Sequence, residues 1–143
     1  MFTKYFFVMA KLSIENKIEN LNKLAEFIEN FGEEHELSPK NIFELNLILD
    51  ELITNIISYA YEDDSDHAIE LDINKEKDEL KIQLIDDGKE FNPLEKEEVK
   101  LDQDLDERKI GGLGIHIVKE KTDEIKYKRE SNKNILMLKK KLK

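Results

Sequence analysis

Apolar and polar positions alternate or recur at helical spacing along most of the chain, and the two periods divide it into elements. Tyr5-Phe6-Phe7-Val8-Met9 is a short unbroken apolar run, which predicts a buried first strand. Ile18, Leu21, Leu24, Ala25 and Ile28 recur every three or four residues and predict an amphipathic helix that ends near Gly32. Ser38-Pro39 is a helix start, with Ser as the N-cap and Pro at the first helical position. The helix it opens carries a broad apolar stripe (Ile42, Leu45, Ile48, Leu49, Leu52, Ile53, Ile56, Ile57) and runs to about Ala60. Ile69, Leu71 and Ile73 alternate with polar residues, and so do Leu80, Ile82 and Leu84. The pair predicts a hairpin that ends at the turn Asp86-Asp87-Gly88. A charged stretch from Lys89 to Lys109 is too long for a plain connector and reads as a lid or a disordered segment. Gly111-Gly112-Leu113-Gly114 then leads into a helix with Ile115, Ile117 and Val118. Ile125 and Tyr127 mark another strand, and Ile135 to Leu138 a last one, followed by a basic tail from Lys139 to Lys143. Helices and strands are grouped rather than strictly alternating. The expected class is α+β, with one sheet under helices.

Composition narrows the function classes. The chain has 143 residues, a length for one domain, and a formal charge of -10. That field repels nucleic acid and anionic lipid, while a phosphate ligand held by local groups and a metal remains open. With no cysteine there is no disulfide scaffold, zinc thiolate site or cysteine nucleophile. No apolar run is long enough for a membrane span and no signal peptide is visible, so a cytoplasmic protein is expected; Met9 is an alternative start.

Three clusters could carry chemistry. Glu51 and Asn55 lie four apart on the buried helix and share a face. They form either a solvated helix edge or a metal and proton-transfer pair, in which the Asn carbonyl oxygen suits Mg2+ and the Glu orients or deprotonates a hydroxyl. Asp86 and Gly88 form either an ordinary turn or a strand-end acceptor with room for a flat ligand. Gly111, Gly112 and Gly114 form either a hinge or an anion site at a helix N-terminus. Arg108 and Lys109 just before them either meet a terminal phosphate or offset the acidic charge of the lid. His35, His67 and His116 are scattered and suggest no metal cluster.

The order of these clusters resembles the N, G1 and G2 boxes of the Bergerat-fold ATPases. The stretches LDELITNIISYAY, IDDGKEFNP and IGGLGIHIVKEKTDEIKY are similar to the stand-alone anti-sigma factor and serine-protein kinase family, over essentially the whole chain. The resemblance implies a two-layer α+β sandwich, its mixed, mostly antiparallel sheet covered on one face by helices, and one ATP-binding domain over residues 1–143, with an ATP lid from about 89 to 110. Glu51 would be the general base or water-orienting group, and Asn55 would coordinate Mg2+. Asp86 would accept from the adenine amino group, with Gly88 beside the base. Gly111, Gly112, Leu113 and Gly114 would wrap the phosphates, with Arg108 near them. ATP and Mg2+ are the implied cofactors. The implied activity is phosphorylation of a serine on an anti-anti-sigma partner, coupled to sequestration of a sigma factor by a homodimer. The alternatives are a nucleotide-binding switch without phosphotransfer, and an interaction domain with a dead site. The sequence departs from the family at Glu90, where a second glycine is common, at Tyr59, where a histidine is, and at Lys133-Asn134, where a Gly-Thr pair often lies near the adenine.

Overall fold

Residues that alternate along five strands meet across one sheet, and the register decides which of them face the helices. The computed structural model describes residues 9–95 and 112–142. The strands are β1 (Ala10–Glu15), β2 (Ala68–Glu76), β3 (Glu79–Asp86), β4 (Glu124–Glu130) and β5 (Lys133–Lys141), in the spatial order β1-β2-β3-β5-β4. The helices are α1 (Leu21–Glu34), α2 (Pro39–Tyr59) and α3 (Gly112–Lys121). The class is α+β, as expected. The sheet is not mixed, however, since every strand pair among the described residues is antiparallel.

The rungs of the sheet are chemically distinct. Leu12, Leu71, Leu84, Leu136 and Tyr127 stand opposite one another in successive strands, and Ala10, Ile73, Ile82, Leu138 and Ile125 form the next rung. These side chains meet Leu24, Ile28 and Phe31 of α1, the stripe of α2 and Ile115 and Val118 of α3 in one core. In α2, Leu45, Ile48, Leu49, Leu52, Ile53 and Ile56 are all buried, each contributing about 1.5–3 kcal/mol of hydrophobic stabilisation. The predicted start of α2 holds: Ser38 Oγ accepts from Asn41 N at 3.1 Å. α1 continues two residues past Gly32, whose missing side chain lets α2 approach; an added Cβ would lie 2.5 Å from Ile42. The helix closes with Leu37 N donating to Gly32 O and Glu36 N to Glu33 O, which places Glu36 at φ 56.

The first strand among the described residues, Ala10–Glu15, is one that no predicted element covers. Met9 is exposed and outside any strand, while Tyr5 to Val8 lie outside the described residues. The physical reason is the alternation of Leu12 and Ile14 with Lys11, Ser13 and Glu15, which fits β2 along one face. The basic tail is part of a strand as far as Lys141. Lys140 continues the inward alternation of Leu136 and Leu138, is 5% exposed, and donates to Glu44 of α2 at 2.8 Å and to Lys121 O of α3 at 3.0 Å. Of the predicted lid, residues 89–95 are described and include a 3-10 turn, Pro93–Glu95; residues 96–111 lie outside the described residues. Among the described residues no helix is long and apolar enough to cross a membrane.

Candidate functional site

One rung on the helix-covered face of the sheet carries Asp86, Asn134 and Arg129. Ile69 of β2 stands opposite Asp86 of β3, Asp86 opposite Asn134 of β5, and Asn134 opposite Arg129 of β4. The turn Ser131-Asn132, with φ 53 and 62, sets the last of these pairs. Asp86 and Asn134 are each 4% exposed. Asp86 Oδ1 accepts from Gly88 N and from Asn134 Nδ2, both at 2.9 Å. Burial pushes the Asp86 carboxyl above its usual range; the Asn134 and Gly88 donors and Arg129 oppose this, and Asp87 adds to it. Burial, with Asp86 and Asp87 nearby, also pushes the Tyr61 hydroxyl up. Gly88 is required by close approach, since a Cβ there would sit 2.5 Å from the carbonyl oxygen of Ala60 at the end of α2. Lys89 N donates to that same oxygen at 2.8 Å. Asp87 is tied to β2 through His67, whose Nδ1 lies 3.1 Å from Asp87 Oδ1 while its Nε2 lies 2.8 Å from Asp63 Oδ1. These carboxylates, Asp63 first, raise the pKa of His67.

The second part of the site lies on α2. Asn55 is 1% exposed, and neither Oδ1 nor Nδ2 has a hydrogen-bond partner among the described residues. An orphaned buried amide is expensive in a finished core, so its retention fits a group that bonds to a ligand. Glu51, one turn earlier, is half-buried against α3, and a side chain at Gly114 would overlap its carboxylate. Gly112 and Leu113 open α3, while Arg108 and Gly111 lie outside the described residues. The structure therefore brings Asp86 together with Gly88, and Glu51 with Gly114. Leu52 and Ile56, which flank Asn55 along α2, line the pocket that contains Asp86. His116 is exposed beside Glu120.

That pocket is nearly closed. Leu52, Ile56, Leu84, Asp86, Phe91 and Pro93 leave about 10 Å³, against roughly 300–1,000 Å³ for ligand sites. Phe91 lies 6.0 Å from Tyr59, ring to ring, and Pro93 is buried. Phe91 and Pro93 therefore fill the space beside Asp86. A larger cavity of about 430 Å³ lies between Met9, Asp72, Lys81 and Met137, and its lining includes none of Glu51, Asn55, Asp86 and Asn134. The donor set fits Mg-ATP: a buried carboxylate for a base amino group, an unpartnered amide oxygen for a hard cation, and a carboxylate against a glycine-lined helix start. Tyr127 and Arg129 were not legible as site residues in the sequence. Their one signal is that each falls on the core face of a strand whose other face is charged.

The histidine kinase-like ATPase domain family matches residues 14–140. Similar proteins include the serine/threonine-protein kinase BtrW of Bordetella bronchiseptica, 28% identical over 67% of this chain and 68% of that one. The serine-protein kinase RsbW of Listeria innocua is 26% identical over 71% of this chain and 68% of the kinase. A crystal structure of the RsbU and RsbW domains of a Mycobacterium tuberculosis protein superposes with a TM-score of 0.65 at 13% identity. It covers 93% of this chain, which corresponds to 32% of that longer one, and it supports the fold alone. The chain belongs to the histidine kinase-like ATPase domain family, within its anti-sigma factor and serine-protein kinase branch.

Proposed function

We propose that this protein is an ATP-dependent serine-protein kinase and anti-sigma factor, built as one ATP-binding domain over residues 1–143 with a lid from about 89 to 110. The observation that carries the reading is the orphaned amide of Asn55 one turn from Glu51, with Glu51 against Gly114. ATP supplies the phosphoryl group, and Mg2+ offsets the charge on its phosphates. Asn55 Oδ1 holds the metal. Asp86 takes the adenine amino group, and Gly88 leaves room beside the base. Gly111, Gly112, Leu113 and Gly114 would offer backbone N–H groups to the phosphates, and Arg108 would add a cation. Glu51 accepts the proton of the acceptor serine hydroxyl as that oxygen bonds to the γ-phosphorus, the bond to the β–γ bridging oxygen breaks and ADP leaves. Little covalent help is needed from the protein, because transfer of this kind depends on positioning and electrostatics.

The names of the similar kinases support serine as the acceptor. The acceptor protein is an anti-anti-sigma partner, the sequestered protein a sigma factor, the assembly a homodimer and the compartment the cytoplasm. The test is transfer of the labelled γ-phosphate of ATP to a candidate anti-anti-sigma protein. Wild type should label a serine. Glu51→Gln should bind nucleotide normally and lose about 10²–10⁴-fold in rate. Binding without transfer by wild type would instead make the protein a nucleotide-dependent switch that sequesters a partner.

A further inference from the structure

Asn134 stands where the alternation of β5 would otherwise place an apolar side chain, and each polar atom of its amide is engaged. Nδ2 donates to Asp86 Oδ1 at 2.9 Å and to Lys89 O at 2.8 Å. Oδ1 accepts from Phe91 N at 3.1 Å, Tyr127 Oη at 2.5 Å and Arg129 Nη1 at 3.1 Å. Arg129 Nη1 also donates to Gly88 O at 2.7 Å. A backbone N–H and a guanidinium can only donate, so the amide admits one orientation: reversed, it would set its NH2 group against them. A buried network with its valences filled in this way is rigid, and one missing member leaves the others unsatisfied.

We propose that Asn134 is the positioning residue for base recognition: locked by Phe91, Tyr127 and Arg129, it holds Asp86 as a pure hydrogen-bond acceptor and so selects a base that carries an exocyclic amino group. This rests on the reading of Asp86 as the base-binding carboxylate. Both bonds to Asp86 fall on Oδ1 and both come from donors, which favours the charged carboxylate. Several groups face that carboxylate. Asp87 in the same turn and the burial of the site oppose the charge, and Arg129 on β4 supports it. Tyr61 beyond α2 and Tyr127 on β4 lie within its field. Asn134 is the donor that most opposes the effect of burial, from inside the sheet. A charged Asp86 offers an amino group a strong bond, and a site built for a bond discriminates against a base that lacks it. The same amide fastens Lys89 and Phe91, so the chain that leaves the base turn is pinned beside that carboxylate.

The test is calorimetric titration with Mg-ATP and with the Mg2+ complex of the analogue whose purine lacks the 6-amino group, between about pH 5 and 8. Wild type is compared with Asn134→Leu, which removes the donor at similar volume, and Asn134→Asp, which puts a second carboxylate beside Asp86. Tyr127→Phe, which leaves both donors to Asp86 and removes one lock on the amide, is the variant least liable to unfold. Wild type should prefer ATP by about tenfold or more. Both Asn134 variants should lose most of that preference at the acid end and regain part of it as pH rises, with affinity for the analogue nearly unchanged. Tyr127→Phe should show the same shift in smaller measure. Preference and pH profile unchanged in all three variants would overturn the proposal. Equal loss for both nucleotides at every pH would reduce Asn134 to packing and overturn it too. A wild type that does not distinguish the two nucleotides would instead overturn the assignment of Asp86, and this inference with it.

Discussion

Replacing Asn55 by Leu should stabilise the nucleotide-free protein and erase its response to nucleotide. Asn55 is 1% exposed, and both amide atoms lack partners among the described residues. An unsatisfied buried polar group costs about 1–3 kcal/mol. Leucine, of similar size, removes that penalty and can pack against Leu52 and Ile56. Unfolding entropy of roughly 2.1 cal/mol/K per residue over 143 residues makes each kcal/mol worth about 3 °C. The expected rise in Tm without ligand is therefore about 3–9 °C. Wild type at a hundredfold excess over Kd should gain about 2.7 kcal/mol, or roughly 8 °C, from Mg-ATP, and the variant nothing. Scanning calorimetry of both proteins, with and without Mg-ATP, reads the two opposite effects in one experiment. A variant that melts below wild type without ligand would show that the amide is already satisfied. A variant that still gains several degrees from Mg-ATP would show that Asn55 is not a ligand to the metal.

Two stability predictions test the frame that holds the site. Glu44→Gln leaves the Lys140 ammonium buried without its carboxylate and should cost about 3 kcal/mol in denaturant unfolding. The hydrogen bond from Lys140, with Lys121 adding to it, holds Glu44 below its ordinary value of 4.5. Its contribution is thus present above that value and lost as pH falls through the lower folded-state value, and acid unfolding of the variant should lack that step. Glu36→Gly should raise stability by about 1 kcal/mol, because Glu36 closes α1 at φ 56, where a side chain is strained; an unchanged or lower midpoint in urea would refute this.

The central elements were legible because their periods are clean. Ile69, Leu71 and Ile73 alternate against Leu80, Ile82 and Leu84 without interruption, and Ser38-Pro39 announces α2 by a cap whose bond is seen in the structure. Other features depended on partners distant in the chain. The alternation of Leu12 and Ile14 is quiet, and its strand character becomes visible only beside Leu71 and Ile69. Lys140 looked like part of a basic tail because its carboxylate partner is 96 residues away. The site divides in the same way. Glu51, Asn55, Asp86 and the glycines stand out by their order along the chain. The rung formed by Asp86, Asn134 and Arg129 exists only through the register of three strands, and Tyr127 joins it through its hydroxyl, which no spacing in the sequence announces.

The central claim is that adenine nucleotide binds between α2 and the polar end of the sheet. Amide and side-chain NMR shifts of the labelled protein on addition of Mg-ATP test it most directly. The account predicts the largest changes at the Asn55 side-chain amide, Gly88, Gly114 and Phe91, with the face around Asp72, Lys81 and Met137 unmoved. Changes confined to that face, or none at saturating nucleotide, would contradict it.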